Sequence, residues 1–536
     1  MNNLTVQKIT IGLVVVVFFT LTPWLVAEFL GGNTTPLLLI FGLGLLLLFL
    51  FGLKDRCWMM IPFSMPIEGN LNFLPLNFTI FEISIFYVMT YLLLHKIMGG
   101  KIQIRLGPAF FWIPLAGVLA IHGYHWAQSG DIGIRSLGGT GWGGRTYFKL
   151  FFYALTVPLI CSFSGSSWRD FQKVPLVFFL GTFVDIVPQT ISTLIPATAP
   201  YVFRVYSGVN LAEYGKEIAG AFGGHGITRI GQFGKVGYAL GLLVVSYFPF
   251  YTWLNPARLW VLPTLLLAFL ISAFSGFRTY VFNFSTAVFG GIYATARWRA
   301  LLLIPVGALA IGAVAASQKV IVDYPDSIQR ALSFLPGQWN PAPAAEAKDS
   351  SKWRVEMREL FFSEYFQKAP LIGLGYHFDS KFALEYQDVY LRIAQLQTND
   401  PYHMVRGFIE RRNPHEGDLH LLLTGGIFVM VFFVIFCLSL VFFVLKTLHR
   451  TPVRQIAPLE TWATALIIQQ ITAFFVVYGD LAPTLSFLCP IFAILYAAEK
   501  LRPAFETSTA EATIPPPMQP GPVLSPSHAW GRPRNY

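Results

Sequence analysis

Long apolar runs dominate the chain, separated by short polar connections. They fall at 10–30, 36–53, 57–68, 78–95, 107–126, 147–165, 174–194, 236–253, 259–275, 279–296, 300–317, 419–446, 457–477 and 483–498. An α-helix rises about 1.5 Å per residue, so about 20 apolar residues cross the hydrocarbon of a bilayer. The pattern predicts an all-α polytopic membrane protein with about 12–14 transmembrane helices. The run at 57–68 is short and carries Pro62 and Pro66 with Gly69 just beyond, which predicts a broken or re-entrant segment buried in protein. The first run is not followed by a cleavage site and a soluble domain, and is expected to stay as a helix.

The connections alternate in charge. Lys54 and Arg56, then Lys96, Lys101 and Arg105, then Arg169 and Lys173, Arg258, Arg297 and Arg299, Lys446, Arg450 and Arg454, and Lys500 and Arg502 all fall on one side. Lysine and arginine collect in cytoplasmic loops, which places both termini in the cytoplasm. The connections at 31–35, 128–146, 196–235 and 318–418 then lie outside. The last, inserted before the final three helices of a membrane domain spanning 1–501, carries a helix-like stretch from Trp353 to Lys368 after a Pro/Ala-rich loop at 336–347. Loops of this length are uncommon unless functional. The Pro-, Ser- and Thr-rich residues 502–536 are expected to form a disordered cytoplasmic tail.

Composition narrows the function. Hydrophobic residues make up 54% of the 536 and charged residues 12%, against about 25% charged in soluble domains. That excludes a disordered chain, a nucleic-acid module and a soluble enzyme. The net charge of +10 is largely accounted for by the cytoplasmic lysines and arginines. Cys57, Cys161, Cys437 and Cys489 lie in or beside apolar runs without CxxC spacing, and no histidine spacing points to a metal.

In so apolar a chain, charges at the outer membrane boundary are informative, because a charge in the hydrocarbon is costly and usually lines a cavity. Arg278 lies between two apolar runs, Arg229 just before another, and Arg354 in the long loop. Each alone also fits a snorkelling interfacial side chain. Gathered on one face, the three would suit a multiply charged anion such as a diphosphate, because guanidinium forks onto phosphate oxygens. Farther on, Asn413, Pro414 and Glu416 have the order of N-cap, first helical residue and capping-box partner. His415 would then sit at the second helical position, where the helix dipole favours neutral imidazole, the form a general base requires. Leu419, Leu422 and Gly426 would share its helical face. His420 falls on another face and reads as structural, as do His122 and His125 beside Trp126. His377 and His403 have no motif around them.

These segments resemble, in order, the O-antigen ligase and O-antigen polymerase superfamily of bacterial membrane glycosyltransferases. TRIGQFGKVGYALG at 228–241 is similar to an Arg-x-x-Gly-x-Phe helix opening, with Lys235 and Val236 in place of its usual Pro-Asn. SGFRTYVFNFSTAVFGG at 275–291 resembles a helix start whose arginine matches Arg278. The stretch 351–378 resembles Arg-…-Pro-Leu-x-Gly-x-Gly-x-x-Phe through Arg354, Pro370, Gly373, Gly375 and Phe378. NPHEGDLHLLLTGGI is similar to a His-Asn-x-x-Leu-…-Gly-Ile pattern, with His415, Leu419, Gly426 and Ile427 matching and Glu416 in place of the Asn.

The resemblance implies a GT-C-like scaffold in the bacterial inner membrane. It implies inverting glycan transfer from undecaprenyl diphosphate to an acceptor hydroxyl at the periplasmic face, with no metal, nucleotide sugar or other cofactor. His415 would be the base, and Arg278, Arg354 and Arg229 would hold the diphosphate. Arg411, Arg412 and Glu416 are candidates on the acceptor side. The expected activity is an O-antigen or exopolysaccharide polymerase. Ligation to lipid A–core and transfer to protein hydroxyls are alternatives, and a lipid-linked glycan transporter is an alternative of another class.

Overall fold

The structure is a computed structural model that describes residues 52–72, 78–100, 103–129, 144–163, 166–208, 231–253, 255–376, 401–410 and 412–513. These residues are helical, and among them β-pairing is confined to isolated bridges such as Asn70 with Thr79. In chain order the helices are α1 Met60–Ser64, α2 Ile80–Ile97, α3 Ala109–Gln128, α4 Gly144–Ala154, α5 Thr156–Cys161, α6 Trp168–Phe171, α7 Val174–Leu194, α8 Ala199–Val205 and α9 Gly231–Tyr247. They continue as α10 Val261–Phe274, α11 Arg278–Ala296, α12 Leu303–Ala316, α13 Asp326–Leu332, α14 Pro341–Leu360, α15 Pro401–Glu410, α16 Gly417–Arg450, α17 Pro458–Val476 and α18 Leu481–Thr513.

The expected spans at 10–30 and 36–53 lie outside the described residues, and every other expected span falls on a helix. Among the described residues six helices are long and apolar enough to cross a membrane, or up to seven if the bent pair Arg278–Leu302 and Ile304–Ala316 is one span. Fewer qualify than the pattern suggests because several apolar runs are broken. The run at 147–165 divides into α4 and α5, and α9 is 17 residues long. The run at 57–68 is a 3-10 turn followed by the five-residue α1, with Cys57, Trp58 and Ile61 fully buried. The chain is an all-α polytopic membrane protein.

Two expectations change. The last helix continues to Thr513, past the 502 boundary of the expected tail, because Ala504–Thr513 contains no proline and several good helix formers. Residues 514–536 lie outside the described residues. In the long loop, α14 begins at Pro341, well before Trp353. Prolines at 341 and 343 sit in the first turn, where backbone N–H groups have no intrahelical partner anyway.

The helix directions sort the charges. Arg297 at the end of α11 donates to the carbonyls of Leu448 and Thr451. Arg502 on α18 donates to buried Glu460, to Thr451 Oγ1 and to the Gln455 carbonyl, and lies over Trp168. Arg56 pairs with Asp170 at 3.1 Å. These contacts tie the basic connections into one layer. The starts of α11 and α16 and the α17–α18 junction lie at the opposite end, over which α14 and α15 form a cap. The apolar core of the cap joins Met357, Leu360, Phe361, Val405 and Ile409 to Leu419 and Leu423 of α16.

Candidate active site

The site is assembled by α14, which lies across the starts of α11 and α16. Arg278 opens α11 after an extended Phe277 whose N–H bonds Ser275 Oγ, and its Nη2 donates to the Ala347 carbonyl of α14 at 2.6 Å. Arg354 follows Ala347 by two helical turns on the same face, about 10 Å along the axis. At the far end of the strap, Arg358 donates to Glu416 Oε2 at 2.7 Å and to Asp418 Oδ2 at 3.0 Å. Arg354 therefore sits between the two helix starts, within electrostatic reach of both Arg278 and His415. Among the described residues neither Arg354 nor the His415 ring makes a hydrogen bond or ion pair.

His415 stands ahead of α16, not in its first turn. The preceding α15 closes in a Schellman arrangement, with Asn413 N–H on the Phe408 carbonyl, Arg412 N–H on the Ile409 carbonyl, and Arg412 at φ 57°. His415 is also left-handed at φ 57°, and Glu416 is the N-cap of α16 without a side-chain cap bond. The Asn-Pro-x-Glu signal therefore marks the end of one helix and a tight turn, so the expected N-cap at Asn413 and capping box at Glu416 are corrected. The shared helical face with Leu419, Leu422 and Gly426 falls with them. Glu416 instead anchors Arg358.

The imidazole packs among the rings of Phe408, Tyr478 and Trp353, with centroids 4.8, 5.0 and 5.9 Å away. Burial, and next the Arg354 charge, push its pKa down to about 4, against a weaker opposing pull from Asp480. The ring is neutral at physiological pH, as expected, but burial and a cation are the leading causes. Behind it, buried His420 Nε2 lies 2.9 Å from the Tyr376 hydroxyl and 3.5 Å from Asp480 Oδ1. His122, expected with His125 to form an interfacial pair, is fully buried and stacks on Tyr376, so it belongs to this interior.

The glycine motif holds the cap in place. At Gly426, φ 66° and ψ −166° break α16, and the chain at 370–375 enters the break. Leu374 and Gly375 donate to the Leu423 and Thr424 carbonyls, while Ile427 and Phe428 donate to those of Pro370 and Leu371. A Cβ at Gly426 would strike the Leu371 backbone, and one at Gly373 the backbone of 424–426. The carbonyls and N–H groups freed by the break are thus re-paired inside the protein.

Of the sequence candidates, Arg278, Arg354, His415 and Glu416 are brought together. Arg412 lies in the same turn. Arg229 and Arg411 lie outside the described residues, as do His377 and Phe378. Sequence reading missed Arg358, Asp418, Tyr478 and Asp480. Asp480 was detectable by the test applied to the arginines, since it is a charge at the end of an apolar run. Among the described residues no group of three His, Cys, Asp or Glu side chains stands close enough to hold a metal ion, and the four cysteines are buried.

Residues 228–434 match the family model described as O-antigen ligase. This stretch contains Arg278, Arg354 and His415 together with the interlocked glycines. No curated protein matches the chain.

Proposed function

We propose that this chain, whose residues 228–434 match the family model described as O-antigen ligase, transfers a glycan from undecaprenyl diphosphate to an acceptor hydroxyl at the periplasmic face, as a polymerase. The observation that carries this reading is the grouping of two arginines and a neutral imidazole under one strap helix, at the end of the membrane domain opposite its basic layer. His415 takes the proton of the acceptor hydroxyl. The oxygen attacks the anomeric carbon as the bond to the diphosphate oxygen breaks, inverting that centre. Arg354 and Arg278 stabilise the charge gathering on the leaving diphosphate, and such preorganised electrostatic stabilisation is usually the largest single catalytic contribution. The diphosphate is already an activated leaving group, so the residues need only position it and balance its charge. The ring cage of Phe408, Tyr478 and Trp353 keeps the imidazole uncharged for its task.

The test is reconstitution of the purified protein with lipid-linked repeat units. A ladder of products supports the polymerase. One-step capping of lipid A–core would make it a ligase, transfer to a protein hydroxyl a protein glycosyltransferase, and lipid movement without transfer would refute the reading.

A further inference from the structure

Lys235 stands in place of the Pro of the Pro-Asn pair in the segment it resembles, and a lysine only 12% exposed requires compensation. Its Nζ lies 2.7 Å from Asp185 Oδ2, a fully buried carboxylate on α7. Asp185 also accepts hydrogen bonds from the Tyr206 hydroxyl, from Gln189 Nε2 at 3.3 Å and from the Glu68 backbone N–H at 3.3 Å. That pair already balances the buried charge. A second carboxylate, Glu68, nevertheless reaches Lys235 at 3.0 Å, and 72% of its side chain remains exposed. Glu68 ends the broken segment that rises along α7, and the Tyr206 hydroxyl, which accepts from Gly69 N–H, fixes the backbone beside it.

This carboxylate borders the active site. The Tyr280 ring, two residues into the helix that Arg278 opens, packs on Gly234 and lies within electrostatic reach of Lys235. Tyr478, whose ring lies 5.0 Å from that of His415, is within electrostatic reach of Glu68. Glu68 thus lies within electrostatic reach of one of the rings that cage the imidazole. An exposed carboxylate repels a diphosphate and accepts hydrogen bonds from the hydroxyls of a sugar.

Resting on the glycosyltransferase reading, we propose that Glu68 is a specificity-determining residue that binds hydroxyl groups of the acceptor glycan, and that Lys235 is a positioning residue that fixes its carboxylate. The probe is the repeat-unit oligosaccharide released from the producing cell's own lipid-linked pool, free of lipid. Its binding to the purified full-length protein is measured by calorimetry, alongside steady-state transfer. For Glu68→Gln the expected result is about tenfold weaker oligosaccharide binding, a matching rise in acceptor KM, and unchanged donor KM. Glu68→Asp should recover part of the loss. Lys235→Met should weaken oligosaccharide binding if it folds, and the Glu68 variants carry the test if it does not. No binding to the parent protein, equal binding to the parent and to Glu68→Gln, or a change confined to kcat or donor KM would each overturn the inference. If the parent transfers glycan and His415→Ala does not, while the Glu68 variants behave as the parent, only this inference fails. Absence of transfer by the parent defeats the function reading, and the binding comparison still decides Glu68.

Discussion

The two ends of the membrane domain use arginine in opposite ways. At the basic end every arginine considered is held by protein. Arg297 caps the close of α16 through carbonyls, Arg502 neutralises buried Glu460 and ties two connections together, and Arg56 meets Asp170. At the other end Arg354 has no hydrogen bond or ion pair among the described residues, and Arg278 is held by a single carbonyl. Charge alone therefore does not mark a site. A half-buried guanidinium whose hydrogen-bonding capacity the fold leaves unused is poised for something that is not protein.

The sharpest way to break this contrast is His415→Ala. Loss of the base should lower transfer by about 10²–10⁴-fold while membrane insertion and donor binding persist, as measured by turnover and by donor titration of the purified protein. Near-normal turnover would remove the imidazole from the mechanism. Next come matched substitutions at the two ends. Arg354→Ala should lower kcat by about 10²–10³-fold with little change in melting temperature. Arg502→Ala leaves Glu460 buried without its cation, and breaking such a pair costs about 3–5 kcal/mol. That variant should melt earlier while the folded fraction keeps its specific activity. The reverse pattern would mean that the basic end, not the cap, is functional.

A smaller effect tests the electrostatics of the base. Burial and then Arg354 depress the His415 pKa to about 4, so the imidazole stays neutral down to that pH in the folded protein. The acidic limb of kcat/KM should fall near pH 4, well below the ordinary value of 6.5. Removing Arg354 should move the residual activity's limb upward, and Asp480→Asn should move it downward. The linked effect on stability has a fixed sign. An unfolded histidine binds its proton near pH 6.5 and the folded one near 4, so this group makes folding less favourable as pH falls through that window. A limb that stays put in both variants would separate His415 from these charges.

The membrane helices were legible because an apolar run has few alternatives once its length matches a bilayer. Arg278 was legible for the same reason, as a charge where a span begins. The turn at 412–416 was misread because Asn-Pro-x-Glu suits a helix start, yet the same residues serve a Schellman end followed by a left-handed histidine. Nothing local distinguishes the two. What decides is the packing of Phe408 and Ile409 in the cap. The strap was hidden for another reason: the contacts that place Arg354 join Arg278 to Ala347 and Arg358 to Glu416, across 69 and 58 positions. Alternation and spacing do not report pairings at such separations.

Arg354 and Arg358 allow the contrast to be tested within one helix, a single turn apart. Arg358 pairs with Glu416 and Asp418, and 46% of its side chain is exposed. Ion pairs that open to water contribute about 0.2–1 kcal/mol, so Arg358→Met should leave stability nearly unchanged. Its effect on transfer should be a few-fold, through loosening of the turn that presents His415. Burial lifts the Glu416 carboxyl above its ordinary pKa and Arg358 opposes this, so the variant should also bind protons at Glu416 at higher pH. If Arg358→Met instead costs as much activity as Arg354→Ala, both arginines of the strap meet the substrate, and the division between held and poised guanidinium groups fails at the site itself.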